Sequence, residues 1–389
     1  MLARLQSLVK RFGRDILRPL LWRVGINVDG ITPEERVAFE GFQRHLSGRK
    51  FAATSSADTA RLLDLRTRYA RVNLPIAAHS IWRTTRTSDT YTRFAKIGVD
   101  LRAFRGHSAY VWSYAGSDPR VAKMKYFIFA NAVRQKDSAG LFGRLHEDDA
   151  FGSIGFDFPG MGLVSRDLLD SIREINFLHK HLNVLGCDDL RVLDIGAGYG
   201  RMAHRMLEAN PRIKSYACVD AVPESTYLCE LYLKYRKLQD RVRVIALDEV
   251  EDNLVSAQFD LALNIHSFSE CPYAAIEWWL TRLRTMNVRH LFIVPNQAIG
   301  FLSLEPNGDQ RDYAPLLNAL GYELVAREPV FDDPAVEELM AVRDSLYLFE
   351  RDPRPASRAR RGARTDPALG AVARSIAQTD QSRKISYLY

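Results

Sequence analysis

The sequence predicts an α/β fold. Residues 166–350 should form a seven-stranded, doubly wound, largely parallel sheet, behind a mostly helical cap region and ahead of a basic flexible tail. Three observations predict this. The apolar run Arg191-Val-Leu-Asp-Ile195 ends in a turn with glycines at 196, 198 and 200 and opens into a helix. From there, apolar runs of strand length alternate with helical segments, the pattern of a parallel sheet. Acids stand where runs end, at the edge along which open α/β sheets take their ligands.

From the N-terminus, Leu5, Leu8, Val9, Phe12, Ile16 and Leu17 recur at helical spacing, with Arg4, Lys10, Arg11, Arg14 and Arg18 between them. Pro19 ends or kinks that helix. A basic amphipathic helix of this kind, assigned to residues 1–30, either docks on its own domain or lies on an anionic membrane surface. Charges interrupt every apolar run, so it does not span a membrane, and it lacks the small-residue cleavage site of a signal peptide. Thr32-Pro-Glu-Glu35 is a capping box with proline at the first helical position. Further helices are expected near 57–72 and 118–134, with a candidate strand at Ala109-Tyr-Val-Trp-Ser-Tyr114. Residues 31–165 read as the cap and substrate region. A helix over 166–182 then leads into the first strand.

The glycine turn allows the backbone to approach a ligand closely, and the helix over 202–207 aims its free N–H groups at the same point. A nucleotide-like cofactor fits that geometry. The dinucleotide fingerprint would place its last glycine where Arg201 stands. An acid, Asp194, also precedes the first glycine by two residues. The second strand, 215–220, ends in Asp220, which either accepts both ribose hydroxyls of a nucleoside or caps the helix starting at Pro223-Glu224. The third strand, 242–247, is followed by Asp248, the fourth, 259–264, by Ile265-His-Ser-Phe-Ser-Glu270, and the fifth covers 290–296. Segments 321–325 and 345–349 form a closing pair in which one strand runs antiparallel. Helices are expected over 223–238, 273–286 and about 313–320.

Asp194-Ile-Gly-Ala-Gly-Tyr-Gly200 resembles the first motif of class I S-adenosylmethionine-dependent methyltransferases, which are Rossmann-like. The flanks narrow the resemblance. Gly198-Tyr-Gly-Arg-Met-Ala-His204 and Asn264-Ile-His-Ser-Phe-Ser-Glu270 are similar to the sugar O-methyltransferases of polysaccharide and glycolipid gene clusters. Leu141-Phe-Gly-Arg-Leu-His-Glu-Asp148 with Phe151-Gly152 resembles the segment those proteins carry upstream. The resemblance covers roughly residues 75–350, and departs from the family at Cys271, where methionine is expected; both side chains are soft and apolar. It implies S-adenosylmethionine as cofactor, held by Asp194, Gly196, Gly198, Gly200 and Asp220. Asp248 would meet the adenine amino group or else be an exposed loop acid. Asn264 would support its loop or contact the methionine moiety. The acceptor would be a sugar hydroxyl of a glycan, polysaccharide or glycolipid precursor. Trp82, Phe104, Tyr110, Trp112 and Tyr114 would fill the cap core or stack on sugar rings. A cytoplasmic protein, peripheral at the inner membrane face through its first helix, follows from the same reading. The alternatives are a small-molecule or nucleic-acid methyltransferase, and a non-catalytic scaffold of the same fold in a membrane glycan-assembly complex.

A hydroxyl nucleophile must lose a proton. His266 lies just beyond the fourth strand, and imidazole with an ordinary pKa of about 6.5 suits that role. Glu270 is the other candidate, as base, as the group orienting His266, or as a ligand to Mg²⁺ bridging adjacent sugar hydroxyls. His179, His181 and His204 read as helix-face residues. Cys187, Cys218, Cys229 and Cys271 show no C-x-x-C spacing and read as reduced core residues. The net charge is +7, but residues 1–25 hold six Lys/Arg against one acid and residues 351–389 nine against three, leaving 26–350 four charges negative. A nucleic-acid enzyme would carry its basic charge on the body that meets phosphates, so no nucleic-acid partner is expected. Residues 351–389 are too poor in apolar content to fold alone.

Overall fold

A sheet in the order β5-β4-β3-β6-β7-β9-β8 organises the computed structural model. The structure describes residues 56–78, 104–106, 119–255, 257–296, 300–340 and 342–351. The predicted elements at 1–30, 32–35 and 109–114, together with Trp82, Tyr110, Trp112, Tyr114 and residues 352–389, lie outside them.

The strands are β3 (Arg191–Ile195), β4 (Ser215–Val219), β5 (Val242–Ile245), β6 (Leu261–Ile265), β7 (His290–Val294), β8 (Tyr322–Pro329) and β9 (Ser345–Arg351). The pairs β3–β4, β3–β6, β4–β5 and β6–β7 are parallel, while β9 is antiparallel to both β7 and β8. The sheet direction therefore reverses only at β9, as the closing pair predicted. The order changes sides between β3 and β6, so the crevice at their carboxyl ends is the place where an open sheet takes a ligand.

The strands are apolar at nearly every position because both faces are covered. Alternate residues serve different cores. Val192, Tyr216, Leu261, Leu263 and Phe292 pack against α2 (Pro119–Lys136), α3 (Arg166–Leu182) and α4 (Arg201–Ala209). Leu193, Ala217, Ala262, Leu291 and Ile293 face α5 (Pro223–Tyr235), α6 (Val250–Leu254), α7 (Tyr273–Thr285) and α8 (Ala314–Ala319). α1 (Ser56–Tyr69) joins this second core through Leu62, Leu65 and Tyr69. α3 starts where Ser165 accepts a hydrogen bond from the Leu168 N–H (3.1 Å) and stops at Asn183, whose left-handed backbone caps it. No helix among the described residues is long and apolar enough to cross a membrane.

Three elements were not predicted, one of them α6 between β5 and β6. A hairpin, β1 (Gly155–Phe158) with β2 (Gly162–Ser165), precedes α3, turning at Gly160 with φ +74°. A helix, α9 (Pro334–Met340), lies in the β8–β9 connection. β8 also runs on to Pro329, beyond the expected 325, through a register shift between Leu324 and Ala326. It is the edge strand, so alternate residues face water and the apolar signal fades before the strand does.

Candidate active site

The three glycines of the turn all adopt positive φ, at +74°, +56° and +82° for Gly196, Gly198 and Gly200. A Cβ on Gly196 would lie 2.3 Å from the Cβ of Ser267, in the loop after β6. One on Gly200 would lie 2.9 Å from the Cys229 sulfur, where α4 meets α5. The Gly198 N–H donates to Asp220 Oδ2 (2.9 Å), and the Val222 N–H donates to Asp220 Oδ1 (2.8 Å). The carboxylate is thus oriented on both oxygens at the end of β4, and each oxygen keeps a lone pair for another donor.

Asp194 sits inside β3, 3 % exposed, and accepts a hydrogen bond from the Tyr216 hydroxyl at 3.0 Å. Withdrawal from water pushes its carboxyl up to about 7, against the pull of Tyr216. Burial likewise pushes Asp220 up to about 7, against its two backbone donors, and Glu270 and Asp194 add to the rise. Acids desolvated in this way gain from a positively charged neighbour. A sulfonium cofactor carrying an ammonium group matches that need, and a backbone turn of glycines over the strand ends matches its nucleoside.

The other predicted cofactor residues have partners of their own. Arg68 of α1 grips both oxygens of Asp248 (2.7 and 2.9 Å), in the manner of a loop acid. Asn264, fully buried, donates to the Ile195 carbonyl and accepts from the Phe268 N–H, both at 2.9 Å. It ties β3 to the loop after β6.

That loop presents His266 with φ +67° and ψ −33°, an uncommon backbone state for a side chain with a Cβ. The His266 N–H donates to Val294 O at 2.7 Å, which holds it there. Its Nε2 stands 3.6 Å from Asp344 Oδ2. Burial acts to lower the imidazole pKa, but Asp344, with Asp170 and Glu174, outweighs it and holds the pKa above its ordinary value. The carboxylate beside the His266 ring is therefore Asp344, a residue that no motif marks. Glu270 accepts from Asn296 Nδ2 (3.1 Å), and its charge helps to raise Asp220. His204 is buried, its Nδ1 is 2.9 Å from the Tyr232 hydroxyl, and burial holds it neutral. Among the described residues, no three His, Cys, Asp or Glu side chains converge as a metal site.

The upstream motif and the residues after the turn meet beneath α4. Arg105 reaches Glu147 (2.8 Å) and Asp167 (3.0 Å), and Arg205 reaches the same two acids, each at 3.0 Å. All four side chains are almost fully withdrawn from water. The hydroxyls of Tyr199 and Ser165 donate to Asp167 and Glu147, and Arg201 pairs with Glu174 at 2.7 Å. Burial alone would raise Asp167, but the guanidiniums of Arg105, Arg205 and Arg201 hold it far below the usual carboxylate range. Sequence reasoning missed Arg105, Asp167 and Arg205. The only signal pointing toward them was the motif around Glu147.

Residues 161–268 match the family model of the methyltransferase small domain. The fold is that of a class I methyltransferase. Solved structures similar to the chain include StiE O-MT residues 961–1257 (16% identity, covering 54% of this chain and 82% of that one, TM-score 0.37). Another is the 1,6-didemethyltoxoflavin-N1-methyltransferase of Burkholderia thailandensis with bound S-adenosylhomocysteine (22%, 46% and 77%, TM-score 0.34). A third is N,N-8-amino-8-demethyl-D-riboflavin dimethyltransferase from Streptomyces davawensis (18%, 48% and 58%, TM-score 0.31). No curated protein sequence matches the chain.

Proposed function

We propose that the protein is an S-adenosylmethionine-dependent O-methyltransferase acting on a sugar hydroxyl of a glycan, polysaccharide or glycolipid precursor. The observation that carries the cofactor reading is Asp220, set at the end of β4 by the Gly198 and Val222 N–H groups, opposite a turn of three positive-φ glycines. The sugar reading rests on the resemblance of the motifs around His204 and Glu270.

The bound cofactor would supply a methyl group on a sulfonium, and transfer to an oxygen is an in-line displacement governed by positioning. This chain's own work is then to hold the cofactor, place the hydroxyl and take its proton. With the Nε2–H of His266 turned to Asp344, Nδ1 carries the lone pair that accepts the proton, and Asp344 stabilises the imidazolium that forms. Asp194, Gly196 and Gly200 shape the turn, while Asp248 and Asn264 brace the loops beside it. Location at the inner face of a membrane through residues 1–18 belongs to the same proposal.

Calorimetry of the full chain with S-adenosylmethionine, followed by an acceptor screen with mass detection, tests the reading. Binding and a 14-unit mass gain on a sugar acceptor are the expected results (one CH₂ added per transfer, about 14 Da). Absence of cofactor binding would overturn it.

A further inference from the structure

α2 turns part of its apolar surface outward. Eight large apolar side chains are exposed among the described residues, and three of them, Val121 (40%), Met124 (46%) and Phe127 (47%), stand on successive turns of this helix. The inner face is already spent in the first core, through Ala122, Tyr126, Phe129, Ala130 and Val133. Helical spacing sets Arg120, Met124 and Phe127 opposite that face, with Lys123 and Arg134 along one flank and Lys125 along the other. The helix holds five Lys/Arg and no acid, in a body that is four charges negative overall. Of these five, Lys136 is engaged by Asp332.

The β1–β2 hairpin extends the patch. The Phe127 ring meets Phe158 at 5.4 Å, and Tyr126 meets Phe156 at 5.1 Å. From Phe158 to Ser165 the hairpin carries no charge, and its turn at Pro159-Gly160 is exposed. Its one acid, Asp157, alternates to the strand face opposite Phe156 and Phe158. The hairpin runs directly into α3, where Asp167 accepts from Tyr199 of the glycine turn, so one short strand separates the patch from the proposed site. Protein interfaces are depleted in lysine. An apolar stripe flanked by lysine and arginine suits a bilayer surface instead, because the apolar groups enter the acyl boundary while the cationic heads stay among anionic headgroups. We infer that the outer face of α2, with the hairpin tip, docks on an anionic membrane surface. This contact does not call on residues 1–18.

The test is co-sedimentation of the full chain with vesicles of phosphatidylcholine alone and of phosphatidylcholine mixed equally with phosphatidylglycerol. The wild type should bind the mixed vesicles at least about tenfold more tightly than the neutral ones, and added salt should weaken that binding. Val121→Glu with Met124→Glu sets carboxylates into the patch at exposed positions and should lower binding to the mixed vesicles at least about tenfold. Lys123→Glu with Arg134→Glu leaves the apolar stripe intact and should remove most of the preference for anionic lipid. A urea midpoint close to that of the wild type shows each variant to be folded. Absence of wild-type binding, or binding that either variant retains in full, overturns the inference, the second result assigning the membrane contact to another part of the chain. A wild type that ignores vesicles but forms a dimer, dissociated by Val121→Glu with Met124→Glu, overturns it as well and makes the face a contact between copies. The vesicle measurements use no S-adenosylmethionine, so failure of the cofactor reading leaves them unaffected.

Discussion

The two sides of the loop after β6 are built differently. On the proposed cofactor side, the turn comes from consecutive residues, 194–200, and rests on the buried ion network of Arg105, Glu147, Asp167 and Arg205. On the proposed acceptor side, single residues of α3 meet His266 and Asp344, whose side chains retain 34% and 19% exposure. The first side rests on charges that are buried and paired with one another. The other side combines buried charges of α3 with the partly exposed His266 and Asp344.

That contrast breaks most directly at His266. His266→Asn, which tolerates the positive φ, should lower kcat by about 10² to 10⁴ and leave cofactor affinity within about twofold. Because the folded-state pKa of His266 is raised, the base is lost as pH falls through a value above about 6.5, and Asp344→Asn should shift that limb of the kcat profile to lower pH. A variant at 266 that turned over normally would take the proton step away from the acceptor side altogether.

Next in size, Asp167→Ala leaves Glu147 as the only fully buried acid between Arg105 and Arg205, with the partly exposed Asp148 and Glu208 as their remaining partners. The expected loss is about 3–5 kcal/mol of folding stability, seen as a lower urea midpoint, because a buried charge loses its partner. A loss under about 1 kcal/mol would mean that the network is wet.

Asp220→Ala should weaken S-adenosylmethionine binding about a hundredfold, or about 3 kcal/mol, by removing two charge-assisted hydrogen bonds to the ribose. Unchanged affinity in the folded variant would reduce Asp220 to a turn brace. The smallest effect is a pH slope. Asp194 and Asp220 sit near 7 in the free protein, and a cationic ligand favours their ionised forms. Affinity should therefore fall below pH 7, by about tenfold per unit for each carboxylate that must release a proton. Asp220→Asn should flatten that slope, and a wild-type affinity independent of pH between 6 and 8 would contradict it.

Legibility in the sequence follows the same divide. β3 to β7 and the helices between them other than the short α6 are contiguous segments with clear periods, and α3 was predicted over the 166–182 that it occupies. The turn was readable because its glycines are adjacent in the chain. Asp344 was not, since it is a lone charged residue whose neighbour lies 78 positions away, at His266. Asp248 stayed open between the adenine amino group and a loop acid because its partner Arg68, 180 residues earlier, has no mark in the sequence. The β1–β2 hairpin did carry a signal, Pro159-Gly160 between alternating residues, and was overlooked.

The place of β9 has a consequence for how the molecule is made. A ribosome delivers β8 before β9, yet β8 pairs only with β9, and β9 alone joins it to β7. Until residues 345–351 emerge, β7 ends the growing sheet with an open hydrogen-bonding edge and β8 has nothing to pair with. A nascent chain arrested at residue 340 would therefore display two unsatisfied strand edges, the kind of surface that recruits chaperones or aggregates. The last strand among the described residues is an interior one, so removing its seven residues would detach fifteen, since the eight of β8 go with them.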